Sequence, residues 1–195
     1  GTLAAGGAIQ SGAFAPPVAL VLAAVGVLAV GALLLRAGRG VFAGYGLIIL
    51  AGGTFLWAIQ PELGNTAVLA LVGIVVISDT AGYFIGRLVG GPKFWPRVSP
   101  KKTWSGTVAG WLGAAVLGAI IGPVLGFGGA VSALVAMVLA FAGQMGDILE
   151  SKLKRRVGVK DSSNLIPGHG GFLDRMDALI VASAVAGVLV LIFGL

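Results

Sequence analysis

The chain has no cysteine, which excludes disulfides and thiolate-bound metals. It has one histidine, so a multi-histidine metal centre is excluded as well. Charge is scarce. Only 10% of the 195 residues are charged and only seven are acidic, against about 25% charged residues in soluble domains. Neither a GxxxxGK[ST] nor a GxGxxG glycine loop occurs, so the common P-loop and dinucleotide-binding signatures are missing. No long-range repeat and no soluble domain interrupts the chain. What remains is 57% hydrophobic with a mean hydropathy of +1.04. That composition describes an all-α polytopic integral membrane protein, a single transmembrane domain over 1–195. The 34 glycines suit helices that approach closely through small residues. Gly1 opens into small apolar residues with no basic region before them, so no signal peptide is expected.

A spanning helix takes roughly 20 apolar residues. Segments near 16–35, 41–59, 66–86, 104–126, 129–149 and 178–195 qualify, giving about six transmembrane helices. Pro16 and Pro17 suit a helix start, Pro61 and Gly64 punctuate the second turn, and the Gly and Pro residues over 90–100 keep the third connection non-helical. All thirteen basic residues fall in odd-numbered connections: Arg36 and Arg39 in the first, Arg87, Lys93, Arg97, Lys101 and Lys102 at the third, and Lys152, Lys154, Arg155, Arg156, Lys160 and Arg175 in the fifth. The positive-inside rule makes those connections cytoplasmic, with both ends of this chain facing outward. It also accounts for the high pI, with no nucleic-acid partner required.

Six of the seven carboxylates gather at the same side of the membrane. Asp79 ends the third span, Asp147 and Glu150 end the fifth, and Asp161, Asp174 and Asp177 follow, while Glu62 marks an outer turn. On a helix Asp147, Glu150 and Lys154 share a face, as do Asp174 and Asp177. Two carboxylates about 4 Å apart repel by roughly 4 kcal/mol at an effective dielectric of 20. A cation relieves this, and an all-oxygen donor set favours a hard ion, Mg²⁺ first. The competing reading pairs Asp147 and Glu150 with Lys154 and Arg155, and leaves Asp174 and Asp177 to favour a helix N-terminus. Spacing leaves both open.

Residues 151–177, SKLKRRVGVKDSSNLIPGHGGFLDRMD, pack six basic and three acidic side chains and His169 into a lipid-soluble background. They form a candidate cytoplasmic signature loop. Ser99, Lys101 and Lys102 in SPKKT are further donors for a phosphorylated ligand. Cations beside carboxylate-bound Mg²⁺ are what phosphoryl and nucleotidyl transfer require. An ordinary basic loop on lipid headgroups is the plainer alternative. Gly170 and Gly171 in PGHGG either offer amides to an anion or simply reverse the chain. His169 serves as a base, a substrate donor or a loop-stabilising residue. The pairs Gly82/Gly86, Gly106/Gly110 and Gly122/Gly126 suggest helix packing, and the four tryptophans interfacial anchoring or packing.

The 151–177 segment closely resembles the signature of the phosphatidate cytidylyltransferase (CDP-diacylglycerol synthase) family, matching at Ser151, Lys154, Arg155, Lys160, Asp161, Pro167, His169, Gly170, Gly171, Asp174, Arg175 and Asp177. SDTAGYFIGRLVGGPK, from Ser78, and SPKKTWSG, from Ser99, resemble two further boxes of that family. The resemblance covers about 70–190. It implies transfer of CMP from CTP to phosphatidic acid, giving CDP-diacylglycerol and pyrophosphate, at the cytoplasmic face of the bacterial inner membrane. It further implies Mg²⁺ on Asp147 and Asp174, with room for a second cation. Asp147, Asp174, Lys154, Lys160, Asp161, His169 and Arg175 become catalytic candidates. Asp79, Ser99, Lys101, Lys102, Ser151, Arg155, Gly170, Gly171 and Asp177 become substrate-binding ones. Partners implied are CTP, phosphatidic acid and membrane lipids, with a homodimer allowed. Ser105 stands where the family box usually has Glu and is left out of the site. The chain is shorter than family members, which typically carry more N-terminal spans. Competing expectations are a CTP-using membrane enzyme acting on another lipid, an inactive assembly partner, and a transporter. A transporter would place ionisable residues near the membrane midplane, unlike the one-sided clustering here.

Overall fold

A computed structural model of the protein describes the backbone of residues 18–34, 38–96, 98–156, 158 and 173–193, and their side chains except those of 18–21, 23, 60–63, 173 and 175. Five helices and one small hairpin follow in order: α1 (Val18–Leu34), α2 (Arg39–Val89), β1 (Lys93–Trp95), β2 (Ser99–Thr103), α3 (Trp104–Val124), α4 (Gly129–Arg156) and α5 (Leu173–Phe193). The long α2 is broken at Gly64, whose φ of 71° is open to glycine without strain. It therefore supplies two spans, Arg39–Ile59 and Gly64–Val89. With α3, α4 and Met176–Phe193 of α5, five helices are long and apolar enough to cross a membrane. The first expected span is described over α1, seventeen residues. Its proposed start at Pro16 and Pro17 lies outside the described residues.

The helices close into a ring, with α2 on α3, α3 on α4, α4 on α5, and α5 back on α2. Small residues make this closure possible. Gly106, Gly110, Ala114, Gly118 and Gly122 recur at every fourth position and form the buried stripe of α3. A Cβ on Gly106 would strike the carbonyl oxygen of Gly82 and stand 3.1 Å from Cα of Gly86. One on Gly122 would strike Ser132 of α4. Gly126 departs from the packing expectation: a Cβ added there would meet nothing within 4 Å, and its φ of 85° serves the turn after α3. On the other side of the ring, Gly52 of α2 meets the backbone of Ile180, and Gly187 meets the Phe55 ring. The core between them holds Leu71, Ile74, Ala114, Ala136, Leu139, Ala140, Ala182 and Ala186. Because backbone oxygen, and no movable side chain, faces Gly106, Gly106→Val is expected to destabilise by at least the roughly 1–3 kcal/mol of core overpacking. Thermal unfolding in detergent checks this, and an unchanged midpoint would contradict the described α2–α3 seam.

The hairpin was not foreseen beyond its non-helical character. β1 and β2 pair antiparallel, Lys93 opposite Thr103 and Trp95 opposite Ser99, with an irregularity between. Phe94 packs edge-on against Trp104 at 4.6 Å. The hairpin runs directly into α3, whose N-terminus is capped by Thr103: its hydroxyl accepts from the amide of Gly106 at 3.3 Å. This fixes Lys101 and Lys102 immediately before a buried helix start.

Candidate active site

A polar cavity of about 840 Å³ opens where the end of α2, the hairpin, the start of α3, the end of α4 and the start of α5 converge. Its wall carries Asp79, Asp147, Asp174 and Asp177 together with Arg87, Lys93, Lys101 and Lys102. These residues come from chain segments up to about a hundred positions apart, and only ring closure brings them together.

Two ion-pair systems organise the wall. Lys102 Nζ lies 2.5 Å from Asp147 Oδ2 and donates to the carbonyl of Gln144 at 3.5 Å. Lys154 Nζ donates to Asp174 Oδ1 at 2.7 Å and lies 3.4 Å from Glu150 Oε2, one turn back on α4. Glu150 is 3% exposed, and Lys154 is the cation beside it among the described residues. Asp174 occupies the first turn of α5, where the helix dipole favours an anion. Asp177 accepts from the amide of Ala178 at 2.7 Å. The plainer sequence reading is thus partly realised: Glu150 pairs with Lys154 and Asp174 sits at a helix start. Asp147, however, turns to Lys102 of the hairpin and not to its own helix.

Beneath the charged groups lies a neutral network. Gln144 of α4 accepts from Trp111 Nε1 of α3 at 3.0 Å and donates to Ser78 Oγ of α2 at 3.0 Å. Gln144 and Ser78 are buried, so each bond replaces water that the site denies them. The network ties three helices one turn before Asp147 and one residue before Asp79. A Cβ on Gly110 would stand 2.6 Å from Gln144 Nε2, so only glycine there admits the amide. About one turn deeper, Ile74 and Leu139 line a separate apolar cavity of about 160 Å³. The polar-to-apolar change is therefore abrupt.

Of the expected site residues, Asp79, Lys101, Lys102, Asp147, Asp174 and Asp177 line the cavity, and Lys154 joins through Asp174. Ser99, Ser151 and Arg155 do not line it: Ser99 pairs within the hairpin, and Arg155 is exposed at the end of α4. Lys160, Asp161, His169, Gly170, Gly171 and the side chain of Arg175 lie outside the described residues. The 151–177 segment begins and ends as helix, since α4 continues to Arg156 and α5 starts at Leu173. Ser105, left out of the site, donates to the carbonyl of Gly90 and supports the hairpin base. Sequence reading gave no role to Gln144 or Tyr83, and gave Trp111 only anchoring or packing. A glutamine inside an apolar span was the available sign, because a buried amide needs partners.

The donor set suits a hard cation, being all oxygen. Among the described residues no three His, Asp or Glu side chains form a ready-made metal cluster. Two carboxylates with phosphate oxygens and water completing the shell is the usual arrangement for Mg²⁺ at phosphoryl-transfer sites, and Asp147 and Asp174 supply two carboxylates to one cavity.

A model described as the cytidylyltransferase family matches residues 8–193. A phosphatidate cytidylyltransferase of Brucella suis is 43% identical over 126 residues, covering 64% of this chain and 47% of the relative. One of Helicobacter pylori is 40% identical over 126 residues, with the same coverage. One of Staphylococcus saprophyticus is 38% identical over 142 residues, covering 72% of this chain and 54% of the relative. The chain spans about half the length of the curated relatives it matches.

Proposed function

The chain belongs to the cytidylyltransferase family, and on that premise we propose that it transfers CMP from CTP to phosphatidic acid. The reading is carried by one observation: carboxylates of three helices and the Lys101–Lys102 pair face one cavity at the basic end of a membrane-embedded ring. Basic residues at that end support a cytoplasmic orientation, in the inner membrane of a bacterium. Cytosolic CTP and the headgroup of an inner-leaflet lipid meet at such a cavity.

A phosphate oxygen of phosphatidic acid attacks the α-phosphorus of CTP. The new O–P bond forms as the bond from the α-phosphorus to the bridging oxygen breaks, and pyrophosphate leaves. The lipid phosphate already carries negative charge near neutral pH, so no strong base is demanded. Mg²⁺ on Asp147 and Asp174 supplies charge neutralisation for the triphosphate when bound. Lys101 and Lys102 hold the phosphates, and Asp79 and Asp177 complete the polar wall. Lys154 fixes the position of Asp174. Lys160, Asp161, Arg175, Ser99, Ser151, Arg155, Gly170 and Gly171 are proposed contributors on the family pattern alone, with His169 as a positioning residue.

An acceptor panel tests the choice of reaction. Labelled CTP offered with phosphatidic acid should yield CDP-diacylglycerol. A phosphorylated lipid alcohol with CDP released would instead establish a CTP-dependent lipid kinase.

A further inference from the structure

The cations of the cavity are not equivalent. Lys102 is engaged by Asp147 and Lys154 by Asp174 and Glu150. Arg87, like Lys93 and Lys101, lines the cavity with no carboxylate within ion-pair distance among the described residues. Its partner among the described residues is neutral: Nη1 donates to the hydroxyl of Tyr83, one turn back, at 3.0 Å. An arginine so held keeps its remaining donors, and its planar fork matches a phosphate in two-point fashion.

The surroundings of Arg87 define the kind of phosphate. It sits in the last turn of a membrane-spanning arm, Gly64–Val89. Phe84, Leu88 and Val89 beside it are exposed apolar side chains, which on a spanning helix face acyl chains. Arg87 thus stands at a seam, with the polar cavity on one side and lipid on the other. Lys101 lies on the hairpin, outside the spans. An anion that reaches Arg87 from the bilayer must carry an apolar tail.

We propose that Arg87, oriented by Tyr83, binds the phosphomonoester of the membrane-embedded lipid substrate at a mouth of the cavity open to the bilayer. This rests on the cytidylyltransferase reading, and it adds which cation takes which substrate.

Native mass spectrometry of the protein released from micelles of equal phosphatidic acid and phosphatidylcholine, without CTP, reads the site independently of turnover. The parent protein should retain phosphatidic acid preferentially. Arg87→Ala should reduce that preference about tenfold, the effect of losing a charge-assisted contact, with Arg87→Lys and Tyr83→Phe intermediate. The two milder variants keep the test available if Arg87→Ala fails to fold. In mixed-micelle kinetics Arg87→Lys should raise KM for phosphatidic acid and leave KM for CTP unchanged. Undiminished lipid preference in Arg87→Ala and Arg87→Lys, or a KM rise confined to CTP, overturns the proposal. Absence of turnover in the parent protein would instead count against the cytidylyltransferase reading, while lipid retention would still report on Arg87.

Discussion

Asp147→Asn is expected to lower the rate of CDP-diacylglycerol formation by on the order of 10³-fold, the scale on which a pre-organised group at a developing charge matters. The substitution keeps shape and removes charge. Asp147 is 39% exposed in its side chain and faces a roomy cavity, so the fold tolerates the amide. The remaining oxygen can still accept from Lys102, which keeps the hairpin seated against α4. What is lost is one of the two carboxylates proposed to hold Mg²⁺ against the triphosphate. A steady-state assay with purified, correctly folded variant checks it. Full activity would remove Asp147 from the site.

Lys154→Met is expected to act on stability as well as rate. Lys154 is 18% exposed, and it faces Asp174 and Glu150, whose side chains are 9% and 3% exposed. Removing one partner of a buried ion-pair system typically costs about 3–5 kcal/mol, because a charge remains in a medium that cannot solvate it. At this chain length each kcal/mol shifts the melting temperature by about 2–4 °C, so a fall on the order of 10 °C is expected. Adding Glu150→Gln removes the more buried of the two carboxyls left without their cation, and the double variant should recover part of the loss. A single variant melting within about 2 °C of the parent would show that the pair is not a structural tie between α4 and α5.

These two residues also mark what the sequence could and could not disclose. Hydropathy was sufficient for five of the six expected spans, because a bilayer imposes a length rule on any helix, while α1 is described over only seventeen residues. The resemblance around Asp174 and Asp177 pointed to the family, and the match over residues 8–193 bears that out. Partner choice was not local. Asp147 has Glu150 and Lys154 on its own helix face, yet it pairs with Lys102 of the hairpin, a relation set by how α3 and α4 pack. Gln144 looked like one polar residue in an apolar run. Its role emerges only when Ser78 and Trp111 arrive from two other helices. The glycine spacing of α3 was read correctly as packing at Gly106 and Gly110, but Gly126, in the same pattern, belongs to a turn. Spacing alone does not say where a helix ends.

The most direct test is the reaction itself. Membranes or purified protein given radiolabelled CTP and phosphatidic acid, with and without Mg²⁺, should form CDP-diacylglycerol and pyrophosphate in equal amounts, and only with the metal. Formation of neither product with Mg²⁺ present, or equal formation after complete chelation, would contradict the account.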